Sequence, residues 1–122
     1  MARQRDYSIN QLKRTIEGGG IGVIANGPNT SDMCDFLGHV GFDAAFIDFE
    51  HGGVSWGELS DITRACELWG MSSVVRVNRL DEAQILRTLD QGASAVMIPH
   101  VITVEDAKAA AQACKYPPKG TR

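Results

Sequence analysis

The chain has 122 residues, 43% of them hydrophobic, enough for one packed core and too few for two ordinary domains. Twelve basic residues against fifteen acidic ones give a formal charge of -3 without a basic stripe, which argues against nucleic acid as a partner. No apolar run approaches the roughly 20 residues of a membrane span, and the start, MARQRDYSIN, lacks the apolar centre of a signal peptide, so a cytoplasmic location without a membrane partner is the expectation.

A first helix is predicted over residues 8–17, stopped by the glycines at 18–20, and I-G-V-I-A-N at 21–26 then reads as a buried strand. Ser31 can cap a helix over 32–39 with Met33, Phe36 and Leu37 on its apolar face and Gly41 at its end. A second apolar strand follows at 44–49. Residues 55–68 carry Trp56, Leu59, Ile62, Ala65 and Cys66 near helical spacing, with Trp69 just beyond and Gly70 as the stop. The β-branched run S-V-V-R-V at 73–77 is the third strand. Asp81 caps a helix bearing Ile85, Leu86 and Leu89 that Gly92 closes, and A-V-M-I at 95–98 is a fourth strand ending at Pro99. Thr103 with Asp106 forms an acidic capping box for an alanine-rich helix to about residue 114, and K-Y-P-P-K-G-T-R is an extended, proline-bound tail.

Four βα units recur about every 25 residues, with strands that read as continuous apolar runs, and this predicts an α/β fold with a parallel sheet. Units followed by an extended tail fit the first four βα units of a (β/α)8 TIM barrel better than a self-contained flavodoxin-like sheet. Residues 1–122 are then the N-terminal half of one barrel domain. Barrel sites gather at the carboxyl ends of the strands. The groups expected there are Asp48, Glu50 and His51 after the second strand, Arg76 and Asn78 after the third, and His100 after the fourth. Asp90 lies near the end of a helix.

His51 is suited to exchange a proton near neutrality, and Asp48 three residues earlier could hold one of its ring nitrogens. The alternative is that both merely satisfy loop backbone. Arg76 sits in the otherwise buried run V-V-R-V-N and needs an anionic partner, either a structural aspartate or a carboxylate substrate gripped by its planar fork. His100 could line the mouth or serve structure. His39 reads as a helix C-terminal cap, and Trp56 and Trp69 as helix packing against the sheet. Cys34, Cys66 and Cys114 read as packing, with no C-x-x-C pair for metal or redox chemistry. The glycines do not form a G-x-G-x-x-G fingerprint.

G-F-D-A-A-F-I-D-F-E-H-G at 41–52, V-R-V-N at 75–78, L-D-Q-G-A at 89–93, I-P-H-V at 98–101 and Y-P-P-K-G-T-R at 116–122 resemble the HpcH/HpaI aldolase family, the metal-dependent class II pyruvate aldolases. The resemblance implies a carbon–carbon lyase that reversibly cleaves a 2-oxo-4-hydroxy acid to pyruvate and an aldehyde on a divalent metal ion, magnesium, manganese or cobalt. It implies that His51 is the acid/base group with Asp48 as its orienting partner, and that Arg76 contacts the oxo acid. Asp90 is implied to organise the histidine or a metal-bound water, and Glu50 to play an outer-shell, cofactor-side role. The family's direct metal ligands, a glutamate and an aspartate, are expected beyond Arg122, and the assembly is expected to be a hexamer. By the same resemblance the 122-residue segment alone should be inactive. The rival readings are a citramalyl or malyl thioester lyase and a non-catalytic half-barrel that assembles with a partner. The effect of His100 on substrate choice is open.

Overall fold

A computed structural model of the chain describes residues 10–122. In chain order its elements are α1 (Gln11–Glu17), β1 (Ile24–Asn26), α2 (Ser31–Val40), β2 (Ala44–Asp48), α3 (Leu59–Trp69), β3 (Ser72–Arg76), α4 (Glu82–Asp90), β4 (Ala95–Met97) and α5 (Val104–Ala113). The predicted start of the first helix at residue 8 lies outside the described residues; within them, Asn10 caps α1 by accepting from the backbone N–H of Lys13. The caps predicted at Asp81 and Thr103–Asp106 are present, and Gly41 and Gly70 end α2 and α3 in the left-handed conformation that favours glycine.

Several local expectations are corrected. Thr30, not Ser31, caps α2, because Thr30 has the extended backbone from which its hydroxyl reaches the N–H of Met33 at 3.2 Å. Helix α2 is also rolled away from the predicted face: Met33 and Phe36 are exposed, whereas Cys34 is buried and Leu37 packs on the core. Helix α3 starts at Leu59, since the backbone N–H and hydroxyl of Ser55 both donate to Glu58 Oε2, at 2.8 and 2.7 Å, and tie the preceding residues into a turn. That turn frees Trp56 to stack on Phe49 at 4.4 Å between ring centroids. Trp69 packs between helices rather than on the sheet, donating from its indole N–H to Asp35 at 2.8 Å and lying against Gly38.

All four strands are parallel in the order β1-β2-β3-β4. Right-handed crossovers between strands that advance in one direction put every connecting helix on the same side of the sheet, as in a barrel wall. A doubly wound sheet would reverse its strand order. Between that side and α2 and α3 lies the core, where Ala45, Ile47, Val75, Ile62 and Cys66 are fully buried. Each of the larger aliphatic side chains contributes about 1.5–3 kcal/mol by leaving water. Cys34 and Cys66 are free and serve this packing, as expected.

Side chains alternate along a strand, so the residues between the core positions face the other way. Ile24, Phe46, Val74 and Met97 make that second face apolar, yet Ile24 and Met97 are exposed and Phe46 and Val74 only half-buried. Helix α1 approaches the amino ends of the strands: the Leu12 N–H donates to Ser72 Oγ at 3.2 Å, and Ser72 Oγ donates to Asn10 Oδ1 at 2.9 Å. The carboxyl ends are where the polar side chains gather. Among the described residues no helix is long and apolar enough to cross a membrane.

Candidate active site

Strand register sets Asp48 at the end of β2 directly beside Arg76 at the end of β3. The guanidinium grips the carboxylate with two parallel bonds, Nε to Oδ1 at 2.8 Å and Nη2 to Oδ2 at 2.6 Å, while its Nη1 reaches Glu50 Oε2 at 2.9 Å. Such a fork is among the strong charge-assisted pairs. Three of the five guanidinium N–H groups are thus engaged, leaving one on each terminal nitrogen for a further acceptor. The Asp48 carboxyl is lowered to about 2, chiefly by the Arg76 hydrogen bonds; partial burial opposes this, and the backbone N–H groups of Glu50 and His51 add to it. On the other side of Glu50, Oε1 meets His100 Nε2 at 2.8 Å. The acids are sunk and the imidazoles are not: the side chains of Asp48 and Glu50 are 14% and 10% exposed, those of His51 and His100 73% and 75%.

The structure therefore brings Asp48, Glu50, His51, Arg76 and His100 to one mouth, with partners that differ from those expected. Asp48 is turned to Arg76, and its hydrogen bond to His51 comes from that residue's backbone rather than its ring. The His51 Nε2 instead stands 3.8 Å from Glu50 Oε2. Asp90 is not part of this cluster. It ends α4, which runs antiparallel to the strands toward their amino ends, and it pairs with Arg122 at 2.6 Å. Asn78 uses its backbone N–H toward Gln84 Oε1. The link from His100 to Glu50 was not foreseen, and the only hint of it was a histidine placed just after Pro99 at a strand end.

The loop that carries Glu50 and His51 folds back sharply, and glycine permits this at one position. A Cβ on Gly52 would clash with the carbonyl oxygen of Asp48, whereas a Cβ on Gly53 would meet nothing within 4 Å. Gly52→Ala is expected to destabilise the protein by roughly 2 kcal/mol and to displace His51, while Gly53→Ala should stay within about 0.5 kcal/mol of the parent. Urea denaturation of both variants checks this; equal effects would remove the steric argument.

Among the described residues no group of three or more His, Cys, Asp or Glu side chains could hold a metal ion. The local reason is plain, since Arg76 already occupies Asp48 and one oxygen of Glu50, and His100 takes the other. What this cluster offers is a guanidinium with two N–H groups to spare and two exposed imidazoles.

A one-directional parallel βα array with its charged side chains at the carboxyl ends defines a wall of a (β/α) barrel, in the place where such barrels keep their active sites. The chain belongs to the HpcH/HpaI aldolase/citrate lyase family, whose model matches residues 23–122. It is 39% identical over 93 residues to a 2-dehydro-3,6-dideoxy-6-sulfogluconate aldolase of Pseudomonas putida, covering 76% of this chain and 36% of the relative. It is 36% identical over 115 residues to a 4-hydroxy-4-methyl-2-oxoglutarate aldolase of Hapsidospora irregularis, covering 82% and 43%. The crystal structure of an HpcH/HpaI aldolase from Desulfitobacterium hafniense superposes with a TM-score of 0.80 at 30% identity, over 91% of this chain and 44% of that one. The chain thus spans less than half the length of these relatives.

Proposed function

We propose that the chain is the N-terminal half of a single aldolase barrel domain that reversibly cleaves a 2-oxo-4-hydroxy acid to pyruvate and an aldehyde. The observation that carries this reading is the Arg76 fork at the strand ends, with two N–H groups left over beside an exposed imidazole. The names of its relatives, aldolases acting on 2-oxo acids, favour it over a thioester lyase or a non-catalytic assembly module. The open apolar face of the sheet supports a barrel closed by four further βα units.

In the cleavage direction His51 takes the proton of the 4-hydroxyl as the C3–C4 bond breaks. The electron pair of that bond passes into the oxo acid as an enolate, and the free N–H groups of Arg76 face the charge that develops there. Return of the proton from His51 to C3 gives pyruvate, and the aldehyde leaves.

Formal charges support a cation at this mouth. Two carboxylates share one guanidinium, so Asp48, Glu50 and Arg76 together carry an excess negative charge that would repel an anionic oxo acid. The divalent ion of the family, magnesium, manganese or cobalt, meets that requirement, with its direct ligands beyond Arg122 and Glu50 in an outer-shell role. Asp48 then acts on His51 through the loop backbone, and Asp90 acts at a distance by fixing the Arg122 tail. By family resemblance the whole protein is a hexamer, and the segment by itself is inactive.

Exchange of the pyruvate methyl protons in deuterium oxide, followed by NMR, tests the proposal without a choice of aldehyde. The metal-loaded whole protein should exchange them, and the rate should fall sharply when the ion is chelated. Failure to exchange with each of the three metals would overturn the reading.

A further inference from the structure

Two imidazoles flank one carboxylate at the mouth, and only one of them is bonded to it. His100 Nε2 lies 2.8 Å from Glu50 Oε1, whereas His51 Nε2 lies 3.8 Å from Glu50 Oε2, too far for a hydrogen bond. Arg76 Nη1 holds that same Oε2 at 2.9 Å. His100 also has a left-handed backbone, with φ 57°. A non-glycine residue there costs of order 1 kcal/mol and persists where its surroundings hold it.

We infer that His100 is a positioning residue: it holds Glu50 against Arg76 and thereby keeps that carboxylate from pairing with His51. The bond fixes Nε2–H of His100 as the donor to the carboxylate. Take the ring away, and Glu50 Oε1 loses its hydrogen-bond donor, which frees the carboxylate to turn toward another. The ring of His51, whose Nε2 stands 3.8 Å from the other oxygen of that carboxylate, is then placed to pair with it. An imidazole paired in this way holds its proton more tightly and makes a poorer base.

The other charged groups near His51 do not compete for this role. Asp48 is engaged by Arg76 and by loop N–H groups, Arg76 already spans both acids and keeps only its two spare N–H groups, and Arg79 faces Asp81 at 3.6 Å. Strand β1 contributes only the uncharged Asn26 at its end. The catalytic consequence rests on the aldolase reading, but the positional inference does not.

NMR titration of the His51 ring in the whole protein and its variants tests the inference. In His100→Leu the His51 midpoint should rise by about 0.5–1 pH unit, and the acid limb of kcat/KM should move up with it. His100→Gln keeps an amide N–H near the place of the ring Nε2 and can still donate to Glu50, so it should titrate like the parent. His100→Gly relieves the backbone and removes the ring; it should repeat the rise, and it serves if the leucine variant does not fold. Adding Glu50→Gln to either should abolish the rise. An unmoved midpoint in His100→Leu or His100→Gly, or an equal rise in His100→Gln, overturns the inference. The predicted midpoints in a protein that exchanges no pyruvate protons would sink the aldolase reading and leave the role of His100 intact.

Discussion

His51→Ala in the whole protein should lower turnover by about 10²- to 10⁴-fold, the range that a positioned acid/base group contributes. Its ring is the exposed imidazole beside Arg76 without a hydrogen bond as short as that of His100, so it is free to take a proton and return it. The same freedom makes stability a clean control. A mostly exposed ring with no close bond adds little to folding, and the variant should unfold within about 0.5 kcal/mol of the parent. Metal affinity should hardly change, because the proposed ligands lie elsewhere. Steady-state cleavage kinetics, denaturation and metal titration on one preparation separate these effects. Activity retained within a factor of about 3 would remove His51 from the proton-transfer role.

What could be read from the sequence was what is local. Asp81, Thr103 with Asp106, Gly41 and Gly70 announced helix ends because capping needs only neighbours three or four residues away. Helix α2 was misread because its apolar residues permit two faces about one position apart, and only contact with α3 selects the one containing Cys34 and Leu37. The site shows the same division. Arg76 visibly required an anion, but spacing along the chain paired Asp48 with His51. Strand register, a non-local property, paired Asp48 with Arg76 instead. The bond between Glu50 and His100 spans 50 residues and depends on a left-handed turn that no glycine announced.

Arg76→Met is the most disruptive single change to expect at this mouth. It removes the one guanidinium between Asp48 and Glu50 and leaves two largely sunk carboxylates facing each other, with only loop N–H groups on Asp48 and His100 on Glu50. Breaking such a pair from one side lowers the stability of the fold. Loss of the guanidinium from the developing enolate should lower kcat/KM by a further 10²- to 10³-fold, roughly the effect of one lost transition-state donor. Arg76→Lys restores the charge but not the fork, so it should recover part of the stability and little of the activity. Acid denaturation supplies an independent check. Because Arg76 holds Asp48 at about 2, below its ordinary value of 3.8, their pairing stabilises the protein above pH 3.8, and this contribution is lost as the pH falls toward 2. Arg76→Met should flatten that part of the stability curve, since Asp48 would no longer prefer its ionised form in the folded state. A variant that kept both the parent's acid dependence and its cleavage rate would show that the fork neither anchors the strand ends nor serves the oxo acid.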